Sequence, residues 1–530
     1  MVATPITLSN CDAAWTNPRG LILAAIVFIG GISSIAIETS MSRLIGPYFG
    51  SSTFIWANLI GLTLLYLTLG YFIGGRIADR YPYPALLYSL TAIAGASVAF
   101  IPMISKPILE ISIAAFDDVA VGSFYGSLLG TILLFSVPIT LLGCISPFAV
   151  RLRLADVSAA GNTAGNLYAL STVGSIIGSF LPSFLLIPVF GTQNTFLILS
   201  LALLIPSALA LLAIRAVREA VVAFLLVLAV AVVPILDGGG LVRPPEYGRV
   251  IYEAETPYNY VQVIDRDGQI RLALNEGHAT HSIYNPGGGN QLTGGPWDYF
   301  MVGPYFNTDQ QPEDVDSLLL IGLAAGTVAK QFTAAYGPIP IDGVEIDGEI
   351  AEIGREYFDM NEPNLNVIVD DGRYFLTRTD QQYDVIGVDA YRQPYIPFHL
   401  TTKEFFEQVD AHLTDDGVAV LNAGRTDTDF RLVDVMASTM KSVFPHVYII
   451  DVDRFTNSIV IGTHEESSIE SFAENIANLP SDSLIREVGD ISLESGNIRE
   501  WNGDAQVFTD DHAPVETVVD QIILDEATGE

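Results

Sequence analysis

Cysteine is almost missing from this chain, with only Cys11 and Cys144 among 530 residues. The two lie far apart in sequence, which rules out a disulfide framework or a cysteine-based metal site and leaves the redox compartment unreadable. Lysine is nearly as scarce beyond residue 240, where Lys330, Lys403 and Lys441 are the whole supply. Acidic side chains stand in its place. Residues 241–530 carry sixteen Lys/Arg against fifty-one Asp/Glu, while residues 1–240 carry nine of each, so the formal charge of −35 belongs to the C-terminal part. That surface repels phosphate backbones and excludes nucleic acid as a partner. A uniform excess of acid also keeps a protein soluble in concentrated salt, where screening removes the self-repulsion. It suggests a halophilic source, beside the plainer reading of an ordinary acidic domain.

Half of the residues are apolar, and they concentrate at the N-terminal end. Seven apolar runs, near 20–37, 54–75, 84–105, 123–148, 165–189, 192–214 and 219–236, are each long enough for ~30 Å of hydrocarbon. They lack the polar faces of buried soluble helices, and a cleaved leader does not explain seven of them. The expected architecture is a polytopic α-helical membrane domain over 1–240, in the cell membrane. Arg76, Arg80, Arg151, Arg153, Arg215 and Arg218 follow runs two, four and six and mark cytoplasmic turns. With seven spans that assignment sends the C-terminal half outside. A cytoplasmic cofactor requires the reverse, and we place that half in the cytoplasm, with one run not spanning or one long run broken. Glu38 is a candidate functional carboxylate at membrane depth, or forms an interfacial pair with Arg43 that anchors a turn. Gly165, Gly174 and Gly178 suit close helix packing.

From residue 248 the pattern shortens. Val250–Ala254, Tyr260–Asp265 and Ile270–Asn275 read as strands, the last two joined by a turn at Asp267-Gly268. We assign 241–296 to a small β-hairpin domain and 297–530 to an α/β Rossmann-like domain of the methyltransferase type. The second domain alternates strands and helices, with strands at 317–321, 341–346, 366–369, 383–388 and 417–422, which gives a parallel sheet covered on both faces. Ligands in such sheets sit beyond the strands' carboxyl ends. A loop of small residues, Gly322, Ala324 and Gly326, follows the first strand. Glu345, or else Asp347, follows the second and suits ribose hydroxyls. Asp371 and Gly372 follow the third and suit adenine, and Asp389 ends the fourth, facing the reactive part. The glycines fall short of the dinucleotide fingerprint, and no phosphate-binding lysine follows them. An adenosyl sulfonium fits better than a phosphate cofactor, although the glycines are equally compatible with a simple tight turn. His278-x-x-His281 lacks the further ligands of a metal site, so no metal is expected. Asp510-Asp511-His512 reads as a polar turn docking the tail.

The stretches Leu274-Asn-Glu-Gly277, Trp297-Asp-Tyr299, Leu320-Ile-Gly322, Val344-Glu345-Ile-Asp347, Asp370-Asp371-Gly372 and Val388-Asp389-Ala resemble the spermidine synthase (polyamine aminopropyltransferase) family. With Gly46-Pro-Tyr-Phe-Gly50, Gly74-Gly-Arg76-Ile-Ala-Asp79-Arg80 and Thr509-Asp-Asp-His-Ala-Pro-Val-Glu516, nearly the full length is similar to its membrane-fused members. The resemblance implies transfer of an aminopropyl group from decarboxylated S-adenosylmethionine to a small-molecule amine. Asp389 matches the catalytic Asp, Glu345 the ribose-binding carboxylate, and Asp371-Gly372 the adenine contacts. Tyr299, His281 and Tyr391 are candidate walls of the acceptor pocket, and the resemblance leaves room for a homodimer.

Three positions depart from the family. Ala325 replaces the Asp that reads the donor's amine, Arg392 replaces a second catalytic-loop Asp, and Thr280 replaces a Gln. A methyltransferase using intact S-adenosylmethionine on the same fold therefore stays open, as does a membrane transporter or sensor with a ligand-binding domain. If the acidity is an adaptation to salt, the melting temperature rises steeply between low and molar salt. A flat profile would mark an ordinary acidic domain.

Overall fold

A computed structural model describes residues 18–49, 53–114, 122–154, 160–236, 245, 247–275, 279–287, 291–392, 394–494 and 496–528. Cys11, Gly50, Glu276, Gly277 and His278 lie outside the described residues. The chain forms two compact units, Met1–Arg243 and Pro244–Glu530.

The described residues of the first unit are helical apart from short connections. Its helices are α1 (Pro18–Phe49), α2 (Thr53–Arg80), α3 (Pro84–Ala114), α4 (Gly122–Gly143), α5 (Ile145–Arg153), α6 (Ala160–Leu181), α7 (Ile187–Ala213) and α8 (Val217–Leu236). Among the described residues, five stretches are long and apolar enough to cross a membrane: Arg19–Phe49, Ile55–Arg80, Pro84–Ser112, Phe124–Arg153 and Ala160–Ala213. The fifth, 54 residues long, contains two of the seven apolar runs. Gly191 breaks it between them, at φ 77° and ψ 165°, a conformation that a side chain disfavours.

Helices α1 and α6 touch backbone to backbone. A Cβ on Gly174 would lie 2.3 Å from the Phe28 carbonyl oxygen, and one on Gly178 at 2.3 Å from that of Ile32. The Ser175 hydroxyl donates across the same seam to the Gly31 carbonyl at 3.2 Å. Gly165 differs, because nothing lies within 4 Å of its position, and it has no part in the packing expected of it. Nor does a turn follow Glu38. Both Glu38 and Arg43 sit inside α1, which runs on to Phe49. Five residues along a helix turn the side chains about 140° apart, off a shared face.

The second unit opens with an antiparallel meander of β1 (Arg249–Glu255), β2 (Tyr260–Arg266), β3 (Gln269–Leu274) and β4 (Thr280–Tyr284). Asp267 and Gly268 both take positive φ, 56° and 87°, as their two-residue turn requires. An eight-stranded sheet follows: β5 (Leu318–Ile321), β6 (Ile341–Glu345), β7 (Leu365–Val369), β8 (Tyr383–Val388), β9 (Leu413–Gly424), β10 (His446–Asp451), β11 (Asn457–Thr463) and β12 (Ile498–Glu500). Its order is β12-β10-β11-β9-β8-β5-β6-β7. Strands β5 to β9 are parallel, and β10, β11 and β12 pair antiparallel. This is the Rossmann-like, methyltransferase-type arrangement. The order reverses at β5, where the chain leaves for β6 on one side and returns at β8 on the other. A cleft opens at such a switch point.

The helices of this unit are α9 (Thr327–Tyr336), α10 (Gly348–Tyr357), α11 (Gly372–Leu376), α12 (Lys403–Ala411), α13 (Arg431–Lys441), α14 (Ile469–Asn478), α15 (Leu484–Glu494) and α16 (Val515–Thr528). An aromatic cluster, Pro296–Phe306, forms a 3₁₀ helix all of whose residues are buried. Phe306 stacks on Tyr448 and Phe472, with centroids 4.3 and 4.5 Å away. A 3₁₀ run of this length is uncommon in isolation, and the packing on both sides holds it.

The tail docks as its sequence suggested. Arg373 makes a bidentate pair with Asp510 at 2.6 and 2.7 Å, and the Thr402 hydroxyl donates to the same carboxylate at 2.7 Å. Replacing Asp510 with Ala should cost about 1 kcal/mol, since the pair is partly exposed. Thermal melts should show a clear drop for Asp510→Ala and none for Asp511→Ala at the exposed neighbour.

Candidate active site

The loop after β5 forms the floor of the site. Gly322 sits at φ 92°, and a Cβ there would lie 2.5 Å from the Asp389 carbonyl oxygen. Ala324 also takes positive φ, at 48°, and Gly326 precedes α9 at φ 85°. The amides of this loop point at protein acceptors. Gly322 and Leu323 donate to the Val344 carbonyl at 2.9 and 3.1 Å, and Gly326 to that of Leu323 at 3.0 Å. Ala324 donates to Glu345 Oε2 at 2.9 Å, and Ala325 to Ser282 Oγ at 3.0 Å. A phosphate cradle needs such amides free, so the loop is not built for pyrophosphate.

Glu345 ends β6 as a buried residue whose Oε1 accepts the Asp347 amide at 3.0 Å. Burial pushes its carboxyl up to about 7, against the pull of those backbone donors. Asp347 has another task. It caps α10, accepting from the Glu349 amide, and takes hydrogen bonds from Thr256 at 2.5 Å and Asn259 at 3.0 Å. It thereby ties the β1–β2 turn to the sheet.

Asp371 caps α11 through the Tyr374 amide at 2.9 Å and meets His399 Nε2 at 3.0 Å. The imidazole contact holds its carboxyl below the usual range. Gly372 is required by packing, because a Cβ there would lie 2.2 Å from Ile321 Cγ2. The absence of its side chain makes room for the end of β5, and not simply for a ligand as its sequence suggested.

Beyond the end of β8 opens a cavity of about 480 Å³. Its walls include Asp389, Tyr391, His281, Trp297, Ala324, Asn422, Arg271 and Arg425, with Val519, Ile522 and Ile523 from α16. Asn422 donates to Asp389 Oδ1 at 2.8 Å and is itself held by Asn457 at 2.9 Å. The Trp297 indole also hydrogen-bonds Asp389, whose carboxyl burial pushes up to about 7. The neighbouring Asp298 positions that indole. It accepts from the Gly294 amide at 2.7 Å, the Thr293 hydroxyl at 2.7 Å and Gln331 at 2.6 Å, fixing the loop against α9.

Of the three expected pocket walls, two line this cavity. The Tyr391 hydroxyl donates to the Asn422 carbonyl at 3.0 Å. His281 Nε2 is buried with no hydrogen-bond partner among the described residues, and burial lowers the ring to about 4, keeping it neutral. Tyr299 is buried off the cavity, its hydroxyl bonded to the Asp453 backbone. Its place on the wall belongs to Trp297, two residues earlier. Arg392 is exposed, pairs through its backbone with Tyr395 and stands outside the walls. Thr280 lines the cavity and bonds Tyr247 at 2.9 Å. Asn422 was missed, although the strand-end rule reaches it, since it lies at the end of the strand expected over 417–422. Trp297 carried no such signal.

Residues 307–469 match the spermine/spermidine synthase domain. A probable polyamine aminopropyl transferase of Bifidobacterium longum is 32% identical over 296 residues, 52% of this chain and 64% of that protein. The second unit thus contains a stretch similar to that domain. A polyamine aminopropyltransferase of Vibrio vulnificus is 29% identical over 223 residues, 40% of this chain and 72% of its own. A spermidine synthase solved in complex with the transition-state analogue AdoDATO aligns at 20% identity, with a TM-score of 0.36, over 46% of this chain and 83% of that one. The match thus spans less than two thirds of the Bifidobacterium relative's length.

Because Asp389 is held above its ordinary 3.8, at about 7, the folded state favours its protonated form. Its contribution to stability is therefore present at low pH and lost as pH rises from about 4 through 7. Asp389→Asn should melt higher than the parent at pH 8, and the gap should close toward pH 4.

Proposed function

We propose that this chain is a membrane-bound aminopropyltransferase of the spermidine synthase type. It transfers an aminopropyl group from decarboxylated S-adenosylmethionine to an amine. The observation that carries the reading is Asp389, a part-buried carboxyl that titrates near neutrality, on the wall of a cavity beyond the β5–β8 switch point. The Bifidobacterium relative's name supports the same reaction class. Glu345 takes the ribose hydroxyls, the Asp371–Gly372 turn takes the adenine, and the loop with Gly322, Ala324 and Gly326 underlies the sulfonium. Tyr391 and His281 bound the acceptor.

In the reaction the neutral amine nitrogen attacks the carbon next to the sulfonium. The C–S bond breaks, its electron pair goes to sulfur, and 5′-methylthioadenosine leaves as a neutral thioether. The new ammonium gives its proton to the Asp389 carboxylate, which stands beside it as general base. Trp297 and Asn422 orient that carboxylate through their hydrogen bonds to it.

The first unit crosses the bilayer, with Ala160–Ala213 passing twice around Gly191. Outward-facing Leu64, Phe72 and Phe184, 59%, 57% and 76% exposed, suit lipid better than water. The second unit works in the cytoplasm, where its co-substrate is made, and β1–β4 serves as its small N-terminal hairpin domain. The arginines on the cavity wall favour a second reading, methyl transfer from intact S-adenosylmethionine, whose carboxylate they would pair.

Incubation with either donor and with putrescine, agmatine or spermidine tests both readings. The decarboxylated donor should release 5′-methylthioadenosine, and Asp389→Ala should lower kcat by about 10²-fold or more. Release of S-adenosylhomocysteine from the intact donor would replace aminopropyl transfer with methyl transfer. Full turnover by Asp389→Ala would remove Asp389 as the base.

A further inference from the structure

The cavity that Asp389 faces has the wrong charge pattern for a polycation. Among the described residues lining it, Asp389 is the one carboxylate, while Arg271 and Arg425 bring two guanidinium groups. The lining also includes apolar Leu432 and Phe455, with Ile522 of α16. A chain thus acidic over its outside turns basic and apolar where the acceptor would enter.

The two arginines are not equivalent. Arg425 is committed to its own fold, donating to the carbonyls of Asn457, Thr426 and Val452 at 3.3, 2.9 and 3.2 Å. Arg271 donates only its Nε, to Gln269 Oε1 at 2.7 Å, and its guanidinium stands 5.6 Å from the Tyr247 ring centroid. Its two terminal nitrogens make no hydrogen bond among the described residues. A stacked, half-engaged guanidinium of this kind is suited to a bidentate anion. A second ammonium in the same space would meet the Arg271 charge and, among the described residues of the wall, no second carboxylate.

We propose that the acceptor is a zwitterion: a primary amine on a short apolar chain whose far end carries a carboxylate or similar anion. The amine lies at Asp389 and the anion pairs with Arg271. This rests on the amine-acceptor reading above and names its substrate class.

Three amines with the same four-carbon body test it, differing only at the far end: 4-aminobutyrate, butylamine and putrescine. Calorimetry on the full chain in detergent, with 5′-methylthioadenosine present, reads binding without turnover. A failure of aminopropyl transfer is thus separable from a failure of this inference. We expect 4-aminobutyrate to bind tightest, by at least about tenfold over putrescine, with butylamine between. Arg271→Glu should reverse the order and Arg271→Gln should flatten it. Putrescine binding tightest to the parent, equal binding of all three, or no binding of any would overturn the proposal. So would an unchanged order in both variants, and weaker binding of intact S-adenosylmethionine by Arg271→Glu would then assign that arginine to the donor.

Discussion

The candidate site depends on how closely two strand ends approach. The Asp389 amide donates to the Ile321 carbonyl at 2.8 Å, and the bare Gly322 backbone lies against the Asp389 carbonyl. Any side chain at residue 322 would push β5 and β8 apart at the point where the sheet order reverses. With the two ends drawn together, the small-residue loop and the Asp389 carboxylate come to adjoin one cavity. Gly372 repeats the device on the other side, leaving room for Ile321. These glycines serve the strand ends first, and the ligand cleft is a consequence.

Around that contact the carboxylates divide by environment. Glu345 and Asp389 are desolvated and held near neutrality, whereas Asp371 beside His399 is pulled down. A group that titrates near 7 can accept a proton and release it again under ordinary conditions. A group held low by a cap and an imidazole stays an anion and serves position. The cavity inverts the charge of the outer surface, with arginines inside a strongly acidic molecule. Bulk composition therefore says nothing of what the cavity receives.

Much of this could be read from the chain because each parallel strand is a short apolar run that stops at a polar residue. Glu345, Asp371 and Asp389 are found by that rule, and so is Asn422 once it is carried one strand further. The rule fails inside the aromatic cluster. Trp297 and Tyr299 are both buried aromatics of one 3₁₀ helix, and their spacing does not say which faces the cavity. The buried Asp298 and its donors decide that, by pinning the loop to α9. In the helical unit, Glu38 looked like the end of a run because hydropathy falls there, yet backbone hydrogen bonds carry α1 through a charge without stopping. Gly165 has the composition of a packing glycine and faces no helix, whereas Gly174 and Gly178 do, since contact depends on the helix face and not on the residue alone.

By itself the sequence determined the two materials of the chain, the alternation that makes a parallel sheet, and the acids at its strand ends. Period and hydropathy are local properties, and they need no partner to be expressed. Only the tertiary structure decided which of those acids stay protonated near neutrality, which glycines serve backbone contact, and that α16 with two arginines completes the cavity. Desolvation and close approach arise between segments far apart in the chain, so no local pattern encodes them.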